Sequence, residues 1–435
     1  MGDPSSPMEP LISRRSKNFS RVQSHAHDEL HSFRSCLRWM CVDQSNCWSA
    51  CLSWSVFVLF AILVPSFSHF FLSCPSCDSR HRRPYDTVVQ LSLSSIATLS
   101  FVSLSVFVRK YGLRRFLFFD KLVDESEAVR ENYTAQLNRS LKLCFIFVLP
   151  CFVADAAYKI WWYSSGASQI PFLGNAIVSD TVACLMELFS WLYRTTIFFL
   201  ICVLFRLICY LQILRLQDFA KVFQVDSDVG SVLVEHLRIR RQLRIISHRF
   251  RAFILWSLLL ITMSQFASLL MTTESHANVN IFRAGELALC SVTLVTGLMI
   301  ILRSATKITH KALAITCLAA KWHVCATIDS FSSAEAETPM HQNADAIFAE
   351  VINRESEGED PGDEEDELDN TKLIPAYAYS TISFQKRQAL VNYFENNRAG
   401  ITVYGFLLDR AWLQLIFGIE MSLVLWLLGK TVGIS

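Results

Sequence analysis

Residues 401–431 read ITVYGFLLDRAWLQLIFGIEMSLVLWLLGKT, and the part from Ala411 to Leu428 decides the class of fold. A helix needs about 20 mostly apolar residues to cross roughly 30 Å of hydrocarbon, and this stretch meets that length with one acid, Glu420, near its middle. A charged residue at the centre of a span carries an insertion cost of about 2.5 to 3.5 kcal/mol, so such a residue faces protein or water and not lipid. Two readings of Glu420 stand side by side. In four symmetry-related copies it forms a ring that favours cations in a pore. Otherwise it pairs inside the bundle with an arginine of another helix, Arg194 being one candidate. Gly418, two residues earlier, allows close helix approach or a bend.

Working outward, six further stretches pass the same test: Trp48 to Leu72, Thr87 to Val108, Leu141 to Tyr163, Thr181 to Leu211, Phe253 to Thr273 and Arg283 to Leu302. A composition that is 52% hydrophobic and 18% charged agrees with a membrane protein, since soluble chains carry about a quarter charged residues. The sequence therefore predicts an all-α integral membrane protein with seven transmembrane helices, in the plasma membrane or an endomembrane, with membrane lipid as its surroundings. Lysine and arginine set the orientation, because the cytosolic side carries the excess. Six precede the first span, eight lie between Arg109 and Lys142, and eight between Arg215 and Arg251. The loop after the first span holds Arg80, Arg82 and Arg83, whereas 166–180 and 274–282 hold none. The N-terminus is thus expected in the cytosol and the C-terminus on the far side. The sequons at Asn18, Asn132 and Asn138 all fall on the expected cytosolic side, so a glycan on any of them overturns this topology.

The segments divide accordingly: a largely disordered cytosolic tail over 1–47, spans one to six over 48–302, a cytosolic helical extension over 303–330, an acidic disordered cytosolic loop over 331–380, and an anchor helix with span seven over 381–435. In the extension, Ile308, Ile315, Leu318, Ala319 and Trp322 recur at helical spacing; in STISFQKRQALVNYFENN the apolar side is Phe384, Leu390, Val391 and Phe394. Between them, ESEGEDPGDEEDELDN carries ten acids in sixteen residues, a composition that buries no core. It reads as a solvated spacer or as a site for a basic partner or divalent cation. A polar segment, DKLVDESEAVRENYTAQLNRS, predicts a short solvated helix between spans two and three.

The stretch GFLLDRAWLQLIFGIEMSLVLWLLGKT, ending within a few residues of the C-terminus, is similar to the C-terminal signature of a plant gustatory-receptor-like family, distant relatives of the insect odorant and gustatory receptors. Leu408, Asp409 and Arg410 match the hydrophobic-Asp-Arg start of the insect seventh span, while Ser422 and Leu423 stand where the insect Thr-Tyr would be and Gly429 with Lys430 where Gln-Phe would be. The resemblance implies an insect-chemoreceptor-like architecture and a homotetramer whose four seventh helices surround a cation-conducting pore. A cytosolic anchor made from the inner ends of spans four to seven would hold it together, and ligands would enter among the outer halves of the other spans. On this chain the implied pore residues are Glu420, Asp409, Arg410 and Ser422. The insect Tyr and Gln are not carried over.

Inside the membrane Asp155 and Lys159 are four apart on one face of span three and are expected to neutralise one another; Glu187 and Arg194, seven apart in span four, are read as a second pair. Asp155 and Lys159, with the aromatic walls of Trp161 and Trp191, form the candidate binding site for an unidentified small-molecule ligand. Cys74 and Cys77, beside Asp78 and His81, suit a small disulfide loop better than a metal, for want of a second ligand pair, and no metal site is assigned. No phosphate loop, G-x-S-x-G or H-E-x-x-H occurs, so no catalytic residue, cofactor or nucleic-acid partner is called for. The leading function is a ligand-gated cation channel or chemoreceptor-like protein. The alternative is a non-conducting seven-helix protein acting in signalling or scaffolding through its cytosolic loops.

Overall fold

The computed structural model describes residues 47–72, 83–111, 127–166, 176–221, 229–273, 281–335 and 384–432. The N-terminal tail over 1–46, the CxxC loop and the acidic loop over 336–380 lie outside them, whereas residues 331–335, expected in that loop, continue the long sixth-span helix. Helices dominate: α1 (Cys47–Val58), a π-helical turn (Leu59–Leu63), α2 (Val64–Leu72), α3 (Asp86–Tyr111), α4 (Glu127–Gly166), α5 (Ala176–Ala220), α6 (Val229–Thr273), α7 (Ile281–Glu335), α8 (Phe384–Asn396) and α9 (Arg410–Val432), with a two-stranded hairpin of β1 (Thr402–Val403) and β2 (Phe406–Leu407) before α9. Among the described residues, seven segments, one for each stretch expected from the sequence, are long and apolar enough to cross a bilayer. Several run far past the roughly 20 residues a crossing takes: α5 and α6 have 45 residues each and α7 has 55. The polar segment before span three forms no separate helix from Glu127 onward but runs into α4 without a break, because no Gly or Pro intervenes before Pro150.

The chain divides inside α5, at Phe198, into two compact units. The first unit is held by aromatic packing. Phe57 of α1 stacks on Phe101 of α3 with ring centroids 4.2 Å apart, Trp54 meets both rings edge-on, and Ala61, Tyr193 and Ile197 complete the cluster. The π turn has a local cause. Pro65 brings no N–H and crowds the carbonyl four residues back, so the helix widens ahead of it, with the Val64 N–H bonding the Leu59 carbonyl. The Ser190 hydroxyl of α5 donates to the Phe60 carbonyl at 2.6 Å, satisfying backbone in a region without water.

In the second unit, α6 and α7 pack on each other and on α8 and α9. The two amphipathic faces read from the sequence are the buried ones: Ile308, Ile315, Leu318, Ala319 and Trp322 on α7, and Leu390, Val391 and Phe394 on α8. The hairpin joins α8 to α9 through Tyr404 (φ 48°) and Gly405 (φ 93°), the two positive φ angles that a two-residue turn matching the strand twist requires. Side chains on the long helices hold its backbone in place: the Ile401 N–H donates to Thr309 Oγ1 of α7 and the Thr402 N–H to Ser247 Oγ of α6. Gly400 has no room for a side chain, since a Cβ there would lie 2.6 Å from Leu407 Cδ1 and 3.0 Å from Thr309 Oγ1. Span seven is therefore fixed at its start to two other helices by a short rigid link.

Candidate functional site

The first unit contains a buried cluster of charge. Arg83 lies just ahead of α3, and Pro84 and Tyr85 turn the chain into that helix, with the Val88 and Val89 N–H groups both reaching the Tyr85 carbonyl. Arg83 Nη1 sits 3.3 Å from each carboxylate oxygen of Glu187 on α5, while Ser68 of α2 donates to Glu187 Oε1. The guanidinium lies over the Trp162 ring of α4 at 3.9 Å from its centroid, with Tyr163 at 6.0 Å. Four segments thus converge on one carboxylate. Beside it Lys159 Nζ and Asp155 Oδ2 are 3.1 Å apart, each residue 1% exposed, and Glu187 feels the charge of Lys159 as well as that of Arg83. His69 and Gln90 flank Asp86 at 3.7 and 3.0 Å.

Asp155 and Lys159 form the ion pair that their spacing suggests. Trp191 is buried beside Phe152, and Trp161 is half-buried next to Tyr158. The expected pairing of Glu187 with Arg194 is overturned. Residues seven apart are two helical turns, about 10.5 Å, from one another, beyond the reach that makes neighbours at three or four residues interact. Arg194 instead donates to the Ser190 carbonyl, to the Gln90 carbonyl and to Ser94 Oγ. Arg83, counted in the sequence as a loop charge, is the partner that reasoning missed. The signal was negative: Ala183, Cys184, Ser190 and Trp191, the positions three and four away from Glu187, hold no cation.

In the second unit α9 has two contrasting sides. Glu420, Val424, Leu427 and Thr431 form the buried stripe facing α6 and α7, and Glu420 Oε1 accepts a hydrogen bond of 2.7 Å from Thr262 of α6. The opposite side presents Ala411, Gly418 and Ser422, all exposed, with the half-buried Gly429 in line and the exposed Leu415 and Leu425 to either side; a Cβ added at either glycine would meet nothing within 4 Å. Ser422 turns its hydroxyl back to the Ile419 carbonyl. Asp409 accepts from the Arg410 N–H at 2.7 Å and starts the helix, both residues being exposed. Glu420 therefore does not share the open side of the helix with Ser422.

Over 92% of its length the chain superposes on 99% of the insect olfactory receptor OR5 from Machilis hrabei, with a TM-score of 0.54 and 12% sequence identity. The structure of the same receptor in complex with eugenol matches over the same shares at a TM-score of 0.48 and 12% identity. No curated protein matches the chain in sequence. The fold is thus that of an insect olfactory receptor, and the molecule is an integral, multi-pass membrane protein; the resemblance to the insect chemoreceptors read from the sequence is borne out. The chain belongs to the family described as Protein of unknown function (DUF3537), whose model matches residues 28–419.

Proposed function

We propose that this protein is a ligand-gated cation channel assembled from four copies, with its N-terminus in the cytosol and α9 lining the pore. The observation that carries the reading is the asymmetry of α9. Its exposed side carries Ala411, Gly418 and Ser422 in line, flanked by the exposed Leu415 and Leu425, so that helices can approach one axis closely at the small positions, while its acid faces its own protomer. Ser422 is the pore-lining residue in this assignment, and Asp409 and Arg410 flank the entry. Glu420 acts as a positioning residue that ties α9 to α6 through Thr262. The ligand is a small molecule held in the first unit at Asp155, Lys159, Trp161 and Trp191, next to Arg83 and Trp162.

Ionic current across bilayers holding the purified protein tests this. Replacing Ser422 with Trp is expected to abolish the current, whereas Glu420→Gln is expected to shift gating and leave cation selectivity unchanged. Selectivity that follows Glu420 and ignores Ser422 would return the acid to the pore. A second reading, a non-conducting membrane protein, draws on the first unit, where Arg83 pairs with Glu187 and Lys159 with Asp155, so that these buried charges meet within the chain itself. No current under any ligand tried, with tetramers intact, supports it.

A further inference from the structure

We propose that the exposed arginine face of α6, carrying Arg238, Arg241, Arg244 and His248, is the docking surface for this chain's own acidic run at 355–370. On the first half of α6, Val232, His236, Ile239, Leu243, Ile246 and Phe250 are buried, and those four basic residues lie exposed on the other side with Val234, Leu237 and Ile245 exposed among them. Little on the helix offsets the charge. Glu235 is the sole acid between Val229 and Phe253, and it pairs with Arg238 at 3.2 Å on the surface. Arg240 is used differently, donating to Asn397 at 2.7 Å. Among the described residues Arg241 and Arg244 make no ion pair.

Charge and tether both select the occupant. The run holds ten acids against no base between Glu355 and Asn370. Its C-terminal side leads within fourteen residues to Phe384, the start of α8, and α8 is fastened to this same part of α6, with Tyr393 Oη 3.4 Å from His236 Nδ1 and Asn397 bound to Arg240. Fourteen extended residues span at most about 50 Å, which keeps the acids near the arginines at an effective concentration on the order of millimolar. An anionic membrane surface fits less well. At 1.5 Å per residue, Arg244 lies about 13 Å and Arg238 about 22 Å along the helix from Phe253, where the apolar stretch begins, and the headgroup layer adds only about 5 to 8 Å on each side. A single surface pair contributes little, so the docking rests on several pairs acting together and dissolves in salt.

Zero-length cross-linking of the full-length protein in zwitterionic nanodiscs tests the proposal. Arg241→Lys with Arg244→Lys keeps the charge and introduces amines that a carbodiimide condenses with a neighbouring carboxylate, forming an amide as the reagent leaves as its urea. The expected result is a peptide joining α6 to residues 355–369 at about 20 mM salt, lost at about 500 mM, where screening acts within about 4 Å. It is also expected to be lost when the ten acids are replaced by their amides, with a several-fold rise in acetylation of the introduced amines. Size-exclusion behaviour and unfolding temperature confirm that each variant folds. Cross-links from the run to other basic segments only would overturn the proposal. So would amine protection that survives amidation of the run and requires anionic vesicles, an outcome that makes lipid the occupant.

Discussion

Glu187 in the first unit and Glu420 in the second are both buried glutamates inside apolar helices, yet they are satisfied by different chemistry. Glu187 takes both guanidinium contacts of Arg83, a hydroxyl from Ser68 and the nearby charge of Lys159. Glu420 takes one hydroxyl, from Thr262, and among the described residues its second oxygen has no partner. A carboxylate enclosed by cations joins segments distant in the chain and makes each depend on the others. A carboxyl held by a single neutral hydroxyl leaves its helix with a contact that is easily exchanged. The first arrangement suits a fixed frame and the second a helix that moves.

The sharpest way to break this contrast is to remove one charge of the first pair. Glu187→Leu leaves Arg83 buried without its carboxylate, and Arg83→Met does the reverse; each is expected to destabilise the first unit by about 3 to 5 kcal/mol, read as thermal unfolding in detergent. The double variant is expected to recover most of that loss, because two matched apolar side chains leave no uncompensated charge. Single and double variants of equal stability would show that the two residues are not coupled.

Next in size is the aromatic support. Trp162→Leu keeps apolar volume near Leu188 and Cys184 but withdraws the ring on which Arg83 lies, and is expected to cost about 2 kcal/mol in the same measurement. In an Arg83→Met background the same change is expected to cost clearly less, since the cation it supports is gone. Equal costs in both backgrounds would reduce Trp162 to simple packing.

This pair also shows what was legible in the sequence. Seven spans, the buried faces of α7 and α8 and the Asp155–Lys159 pair follow from hydropathy and from spacings of three and four, which operate within one helix. Arg83 with Glu187 spans 104 residues, and no periodicity connects positions that far apart. The direction of Glu420 was hidden for a related reason. Apolar residues surround it on every side of α9, so the pattern alone gives no inward face; only the contact with Thr262, 158 residues away, supplies one. Ser422 and Gly418 carried a weak signal as small residues, and its meaning depends on which side of α9 the protomer occupies.

A smaller effect is expected at Glu420. Thr262→Val removes its one hydroxyl partner, and hydrogen bonds between membrane helices contribute about 0.6 kcal/mol on average and at most about 1.7. Glu420→Gln keeps the shape and the capacity to accept from Thr262, so its effect on unfolding is expected to stay below about 1 kcal/mol. A loss as large as that of Glu187→Leu would show that Glu420 meets a cation, and the two glutamates would then belong to one class.

The smallest change in stability is expected on the far side of the same helix, and it separates structure from function most cleanly. Gly418→Leu places a Cβ where nothing lies within 4 Å in the protomer, and a glycine in a helix interior already carries about 1 kcal/mol of intrinsic penalty relative to alanine. The protomer should therefore unfold no more easily than wild type, within about 0.5 kcal/mol. If four copies bring this face to a common axis, four leucines meet there, and conduction or tetramer assembly is expected to fail while each protomer stays folded. Normal current from stable Gly418→Leu tetramers would remove α9 from the pore and leave its open side to lipid.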